Sequence, residues 1–253
     1  WLGETGMLGE RVADVVVAGA LAYVAAGYDG LQLVDASDGL APIRVGGTRL
    51  DVVKDWAGEH VPAALRVSVA GGLAAVVTGD GVQWVDVSDA TRPRVVGAYG
   101  SRAHPYEPDS VRDALLLGRH ALVAQSEDGF VVLDLARPDQ PVVVAELTDV
   151  RPRAIAVAGA HAFLALEQPP GLLVLDVADP AEPVEIARLL LPRAPSDVWV
   201  AADRVYLAYG DAANGLAADG PVVGASTVSV IDASRPDAPR DLGLYELDDG
   251  EGY

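Results

Sequence analysis

Residues 30–42 read GLQLVDASDGLAP, and the chain repeats this phrase in outline four more times. The apolar run that stops at an aspartate returns as GVQWVD (81–86), GFVVLD (129–134), GLLVLD (171–176) and TVSVID (227–232). A proline follows each aspartate at one constant distance: Pro42, Pro93, Pro141, Pro183 and Pro239. An upstream apolar run ends in glycine at Gly19, Gly71, Gly118 and Gly159, with Ala202 in the fifth copy. An internal repeat in constant register dictates architecture before any other feature is considered.

Within the first copy, 12–19 leads through Ala20 to 21–27. Tyr28-Asp29 then turns into 30–37, and Asp38 to Pro42 turns into 43–50. Runs rich in valine and leucine and bounded by Gly, Asp and Pro are strands. We term the four strands of a copy a to d. The Asp-Gly pairs at 29–30, 80–81 and 128–129 suit tight turns. Triplets such as Val15-Val16-Val17, Leu115-Leu116-Leu117 and Val142-Val143-Val144 are apolar on both faces, so something must cover both. The chain offers almost no helix to do it; even 182–191 (EPVEIARLLL) falls in the register of strand d. Small sheets covering one another radially satisfy this demand. The expected fold is all-β, a β-propeller of five blades with four antiparallel strands each. The blades are expected at about 11–50, 51–100, 101–149, 150–191 and 192–248 of one domain, 11–248. Residues 1–10 are read as a leader or edge strand and 249–253 as an acidic tail. A sixth blade completed by residues outside the chain is the alternative. The repeat aspartates Asp35, Asp86, Asp134, Asp176 and Asp232 precede turns, where a carboxylate accepts backbone N–H groups. They are turn pins, not catalysts.

The strand-c phrase with its D-x-S/A-D-P-x-x-P turn, as in LVDASDGLAP, WVDVSDATRP, LDVADPAEP and VIDASRPDAP, resembles the LVIVD repeat family. The resemblance runs over about 11–248. Copies three and five depart from it at Arg137 and Arg235, where aspartate is expected. It implies a β-propeller and a bacterial or archaeal protein that is exported, at the cell surface or periplasmic. It implies little about activity, since propellers host many unrelated functions.

Composition narrows the partners. Of 253 residues, 51% are apolar and 22% charged, enough for a sizeable core and too apolar for disorder. A formal charge of −19, from 37 acidic against 18 basic residues, repels phosphate backbones and argues against nucleic acid. Acidity also keeps an apolar β-rich surface soluble. There is no cysteine for a disulfide or a thiol nucleophile, and no apolar stretch nears the ~18 residues of a membrane span. A start at Trp1 without a signal pattern leads us to expect a processed protein, an excised domain or a module of a larger chain or assembly. Lys54 as sole lysine among many Ala, Val and Arg fits a GC-rich bacterial gene.

Function is expected where the copies disagree. The connection from Pro42 to Gly71 and that from Pro93 to Gly118 are longer than Pro141 to Gly159 or Pro183 to Ala202. The fifth copy carries its insertion between Ala202 and Thr227. In a meander the d–a and b–c connections emerge on one face, so all three insertions share it, and loops on a rigid scaffold are where binding resides. Loop 51–63 brings Trp56, Glu59 and His60; loop 101–110 brings His104, Tyr106, Glu107 and Asp109; loop 211–225 is rich in Gly and Ala. Trp56 and Tyr106 are candidate aromatic anchors for a protein or glycan partner, or caps on the propeller end. His60 and His104 with nearby carboxylates are a candidate site for a divalent cation, although no compact ligand motif is present, and no cofactor is expected. Strand a lines a propeller's channel, where Asp14, Arg66, Arg112, Asp113, Arg153 and Asp197 form a polar ring. This ring reads as a salt-bridge collar, or as a socket for a small ligand. The expected function is a non-enzymatic binding or scaffold module. The alternative is a metal-assisted hydrolase or lyase at the channel mouth.

Overall fold

The computed structural model describes residues 12–55, 58–100, 111–210 and 227–246. Among them there are strands and turns but no helix. The first sheet comprises β1 (Asp14–Ala18), β2 (Leu21–Ala25), β3 (Leu31–Asp35) and β4 (Ile43–Thr48). A short hairpin, β5 (Val53–Asp55) and β6 (Gly58–His60), interrupts the series. The second sheet follows with β7 (Arg66–Ala70), β8 (Leu73–Thr78), β9 (Gly81–Asp86) and β10 (Arg94–Tyr99). The third holds β11 (Val111–Leu117), β12 (His120–Gln125), β13 (Gly129–Asp134) and β14 (Val142–Leu147). The fourth holds β15 (Arg151–Ala158), β16 (His161–Gln168), β17 (Gly171–Asp176) and β18 (Val184–Leu190). The fifth holds β19 (Asp197–Ala201), β20 (Arg204–Tyr209), β21 (Thr227–Asp232) and β22 (Arg240–Glu246). Each sheet is a four-stranded meander in sequence order, strands a to d. These are the blades of a β-propeller. The chain divides into two compact units, Trp1–Val144 and Ala145–Tyr253.

The strand-a glycine opens a two-residue turn into strand b. Gly19, Gly71, Gly118 and Gly159 all have φ near +60°, a region closed to most L side chains. The fifth copy puts Ala202 there at φ 50°, the one non-glycine with positive φ among the described residues.

All five repeat aspartates accept the backbone N–H two residues on. Ser37, Ser88, Ala136, Ala178 and Ser234 donate to Asp35, Asp86, Asp134, Asp176 and Asp232 at 2.7–3.1 Å. The next residue in each copy ties this turn to the a–b turn: Ala36, Val87, Leu135, Val177 and Ala233 donate to Ala20, Gly72, Arg119, Ala160 and Asp203 carbonyls. A second turn then closes from the carbonyl of Asp38, Asp89, Arg137, Asp179 or Arg235 to the amide three residues on. Asp38, Asp89 and Asp179 also cap this turn with their side chains. Copies three and five hold the same backbone with an Arg-Pro-Asp segment, in which Arg137 pairs with Asp139 and Arg235 with Asp237, both at 3.0 Å.

Strand d carries a further regularity that the sequence reading missed. A β-bulge breaks its pairing with strand c at Leu33/Val34, Val95/Gly97, Val174/Leu175 and Val230/Ile231. A bulge bends and twists the strand, and a small residue follows it: Gly46, Gly97, Ala187 and Gly243. Within the first unit the reason is a close approach. A β-carbon on Gly46 would lie 2.0 Å from the carbonyl oxygen of Ala90, and one on Gly97 1.9 Å from that of Pro138. Ala90 and Pro138 belong to the c–d turn of the following blade.

Within each unit the core lies between successive blades. Tyr23, Leu31 and Leu33 of the first sheet are clustered with Val67, Ala74, Val76 and Val85 of the second. Trp84 of the second is clustered with Ala114, Leu116, Val123 and Leu133 of the third. In the second unit Phe163 and Val174 are clustered with Val198, Val205, Leu207 and Ile231. The sequence reading expected Val142-Val143-Val144 to be covered on both faces, but all three are exposed. They lie on strand d, the outer strand of a blade, which has a neighbour on one edge only.

Two outcomes test these accounts. Ala202→Gly should stabilise the protein by about 0.5–1 kcal/mol, the left-handed penalty less the entropy cost of glycine; an unchanged or lower melting temperature would contradict it. The Ser88 hydroxyl, the Ser88 amide and then Arg94 lower the Asp86 carboxyl from 3.8 to about 2. Since the folded value is the lower one, this stabilisation is complete above about pH 4 and disappears as the pH falls towards 2. The difference in unfolding free energy between wild type and Asp86→Asn, from urea titrations, should shrink across that window; a pH-independent difference would refute the assignment.

Candidate functional site

The connection from Thr48 to Arg66 is the longest described segment between blades. Three polar attachments fix it. Asp51 N–H donates to Gln83 Oε1 at 2.8 Å, and Gln83 Nε2 donates back to the Asp51 carbonyl at 2.9 Å. Gln83 is buried in strand c of the second blade, so its amide is satisfied by the incoming main chain. At the other end Ala64 N–H donates to the Gly27 carbonyl at 2.8 Å, within an isolated antiparallel bridge. Leu50 and Ala64 are buried in the apolar cluster of the first two blades.

Between these anchors the chain forms the β5–β6 hairpin, pairing Val53 with His60, Lys54 with Glu59 and Asp55 with Gly58. The sequence reads as a loop here, because Trp56 and Ala57 carry no Asn-Gly or Asp-Gly turn signal; the structure has paired strands on either side of them. Trp56 itself lies outside the described residues. Glu59 pairs with Lys54 at 3.3 Å, both largely exposed, and such a pair contributes about 0–1 kcal/mol. His60 Nε2 lies 2.9 Å from Asp80 Oδ2. Asp80 stands in the b–c turn of the second blade, where its N–H donates to Thr78 Oγ1 at 3.1 Å. The histidine thus joins the connection to the blade that follows it. The Asp-Gly signal at 80–81 marked this turn in the sequence, on the same face, but the pairing was not drawn from it.

Of the other expected loop residues, His104, Tyr106, Glu107 and Asp109 lie outside the described residues. Among the described residues no group of three or more His, Asp or Glu side chains is placed to hold a metal ion. His120 and His161 begin strand b and lie at the opposite end of their sheets from His60.

The polar ring residues occupy strand a or its start. In the first unit Asp14 accepts N–H groups from Val15 at 2.8 Å and from Val67, on the next strand a, at 2.9 Å. Arg66 reaches Asp113 at 3.7 Å; Asp113 is buried and also accepts the Ala114 N–H at 2.9 Å. Arg112 is half-buried beside it. In the second unit Arg153 pairs with Glu167 of strand b at 2.5 Å, and Asp197 accepts the Val198 N–H at 2.9 Å. These carboxylates therefore serve strand starts and neighbouring strands. The second unit adds a contact the sequence did not signal: Arg193 lies 5.5 Å over the Tyr209 ring. Burial pushes the Tyr209 hydroxyl upward in pKa.

Comparison with known proteins bears on the scaffold that holds these groups. The LVIVD repeat model matches residues 9–47, 63–100 and 152–190. The chain carries three LVIVD repeats. The three matched stretches fall in the first, second and fourth copies, those with Asp38, Asp89 and Asp179 in the second turn. The unmatched third and fifth copies are those with the Arg-Pro-Asp solution. No curated protein matches the sequence significantly. Among solved structures, the periplasmic gluconolactonase PpgL of Pseudomonas aeruginosa is similar with TM-score 0.67 and 13% identity, over 97% of this chain and 72% of that one. A chain of the mitotic checkpoint complex is similar with TM-score 0.65 and 12% identity, over 94% and 67%. BamB of Moraxella catarrhalis is similar with TM-score 0.54 and 14% identity, over 92% and 61%. At these identities the likeness is one of fold. The LVIVD-repeat chain spans only about three fifths to under three quarters of the structures it matches.

Gln83→Leu should release the start of the connection while leaving the blades formed. We expect fast hydrogen exchange at the Asp51 amide and a global loss of about 1–3 kcal/mol. An Asp51 amide as protected as in wild type would show that the segment is held by something else.

Proposed function

We propose that this LVIVD-repeat propeller is a non-enzymatic binding or scaffold module that recognises a protein through the face of its d–a and b–c connections. The observation that carries the reading is the polar hairpin β5–β6, held on the blade end by Gln83, Gly27 and Asp80. A buried glutamine and a histidine–aspartate contact are committed to presenting a segment that contributes little to the core. Such a segment is suited to recognition, since loops on a rigid scaffold keep their shape on binding. The sequence places Trp56 between the two hairpin strands and Tyr106 in the next inserted connection, both of a type enriched at interface hot spots. A net charge of −19 favours a partner with a basic surface. That a chain of the mitotic checkpoint complex shares the fold supports a protein partner in general terms. The reading as an exported or cell-surface protein rests on the LVIVD resemblance and on the likeness to a periplasmic propeller.

The test is affinity capture from an extract of the source cells, quantified by mass spectrometry. Wild-type chain is compared with Trp56→Ala/Tyr106→Ala and with Leu40→Ala, which alters an exposed residue of a c–d turn. The double variant should lose the captured set with an unchanged melting temperature, and Leu40→Ala should retain it. Equal capture by all three would remove the proposed face from consideration.

A further inference from the structure

The b–c turn of the first blade carries an aromatic ring that the repeat does not require. Tyr28 precedes the Asp29-Gly30 pair, and the equivalent positions before Asp80-Gly81 and Asp128-Gly129 hold Gly79 and Glu127. All three turns lead into strand c, so no aromatic side chain is needed to build one. Tyr28 is 74% exposed. The backbone around it is fixed: Asp29 N–H donates to the Ala26 carbonyl at 3.1 Å and Gly30 N–H to the Gly27 carbonyl at 3.0 Å. Gln32 Nε2 donates to the Asp29 carbonyl at 2.6 Å. A large ring on a fixed turn offers contact area at a low entropy cost when a partner covers it.

The connection into the second blade brings two further apolar side chains to this turn. Ala64 is bridged to Gly27, which places Leu65 beside it. On the strand-d side, a β-carbon on Gly30 would run into the Thr48 carbonyl and lie 3.1 Å from the Leu50 nitrogen. The residues that lead to Val52 therefore start from the same turn. Val52 is 58% exposed and Leu65 39% exposed. Exposed apolar residues gathered in this way, rather than scattered singly, mark an interaction site.

The charges around the patch specify its partner. Asp29 adjoins Tyr28 and Asp51 adjoins Val52, while Glu59 and Asp80 stand on the connection and on the next b–c turn. Arg49 and Lys54 are the cations of the same stretch, and Lys54 is paired with Glu59. His60 meets Asp80, and Arg66, next to Leu65, reaches Asp113. Carboxylates thus dominate the rim beside the exposed ring. Resting on the binding role given above, we propose that this patch docks a basic, amphipathic segment of a partner protein. Apolar side chains of that segment cover Tyr28, Val52 and Leu65, and its flanking arginines or lysines meet Asp29 and Asp51. An acidic segment would bring like charges together, and a purely polar basic one would leave the apolar patch uncovered. The chain's net charge of −19 steers the same class of partner towards it.

The test titrates the whole chain, by calorimetry, with three synthetic peptides of equal length. One alternates phenylalanine with arginine, one phenylalanine with glutamate, and one serine with arginine. The first should bind roughly tenfold more tightly than either of the others, and less tightly as salt is added. Tyr28→Ser and Val52→Ser, both at exposed positions, should melt as wild type does and each weaken that binding roughly fivefold or more. Leu40→Ser, at an exposed c–d turn position, should leave it unchanged. Binding indifferent to Tyr28→Ser, a glutamate peptide held as tightly as the arginine one, or a wild type that binds none of the three overturns the proposal. Capture lost in Trp56→Ala/Tyr106→Ala, with peptide binding indifferent to Tyr28→Ser, keeps the wider face and overturns the patch. The reverse pair of results keeps the patch and overturns the reading built on Trp56 and Tyr106.

Discussion

Blade spacing in the first unit depends on a contact in which no side chain takes part. The carbonyls of Ala90 and Pro138 lie where a β-carbon would stand on Gly46 and Gly97, so backbone meets backbone. Three things must coincide for that contact to form. The strand-d bulge must turn the glycine toward the neighbour, the glycine must lack a β-carbon, and the c–d turn must present its carbonyl at a fixed height. The last condition is what the repeat aspartate secures, by holding the amide two residues on. A pinned turn and a seat are two halves of one joint. This explains why the aspartate and the glycine-or-alanine position recur together in copies whose other residues drift. Overpacking such a joint by even one methyl forces the backbone to shift, which is among the costlier changes a core can suffer.

Two side-chain solutions to the pinned turn show what is being selected. Asp38, Asp89 and Asp179 cap the second turn directly, while Arg137 and Arg235 give up that cap and reach Asp139 and Asp237 instead. The carbonyl-to-amide bond underneath is the same in all five copies. Backbone geometry is therefore the common property, and the side chains are interchangeable means to it. The three copies that match the LVIVD repeat are those with the aspartate form, although the sheets and turns of the other two are built alike.

Much of the fold was legible because its signals are local. The five aspartates, the Asp-Gly turns and the glycines ahead of strand b each act within a few residues, and each stands where the sequence placed it. The strand-d bulge was not legible, because Val45-Gly46 and Val96-Gly97 read as ordinary apolar strand; what requires the glycine is a neighbour some forty residues later. Burial was misjudged at Val142-Val143-Val144 for a related reason. An apolar triplet records that a strand has two faces of similar chemistry, not that anything covers them. At the candidate site the insertion before the second blade was visible as extra length, but nothing in the sequence between Asp55 and Gly58 signals a hairpin. The partner of His60 was an aspartate on a turn twenty residues away.

The two ends of each sheet are used differently, and this bears on where function can reside. At the a–b and c–d end every copy makes the same set of bonds: the aspartate pin, the tie to the a–b turn and the turn closure. Changes there are constrained by the joint with the neighbouring blade. At the other end, apart from the bond that Asp14, Asp113 and Asp197 each accept from the next residue's N–H, the polar contacts are particular to their copies. Gln83 clamps a main chain, His60 meets Asp80, Arg66 meets Asp113, and Arg193 lies over Tyr209. None of these is reproduced from blade to blade, so none is required by the repeat. Residues free of the architectural constraint can vary with a partner while the joints stay intact. The chain's individuality is thus confined by its own packing to the end that carries the long connections.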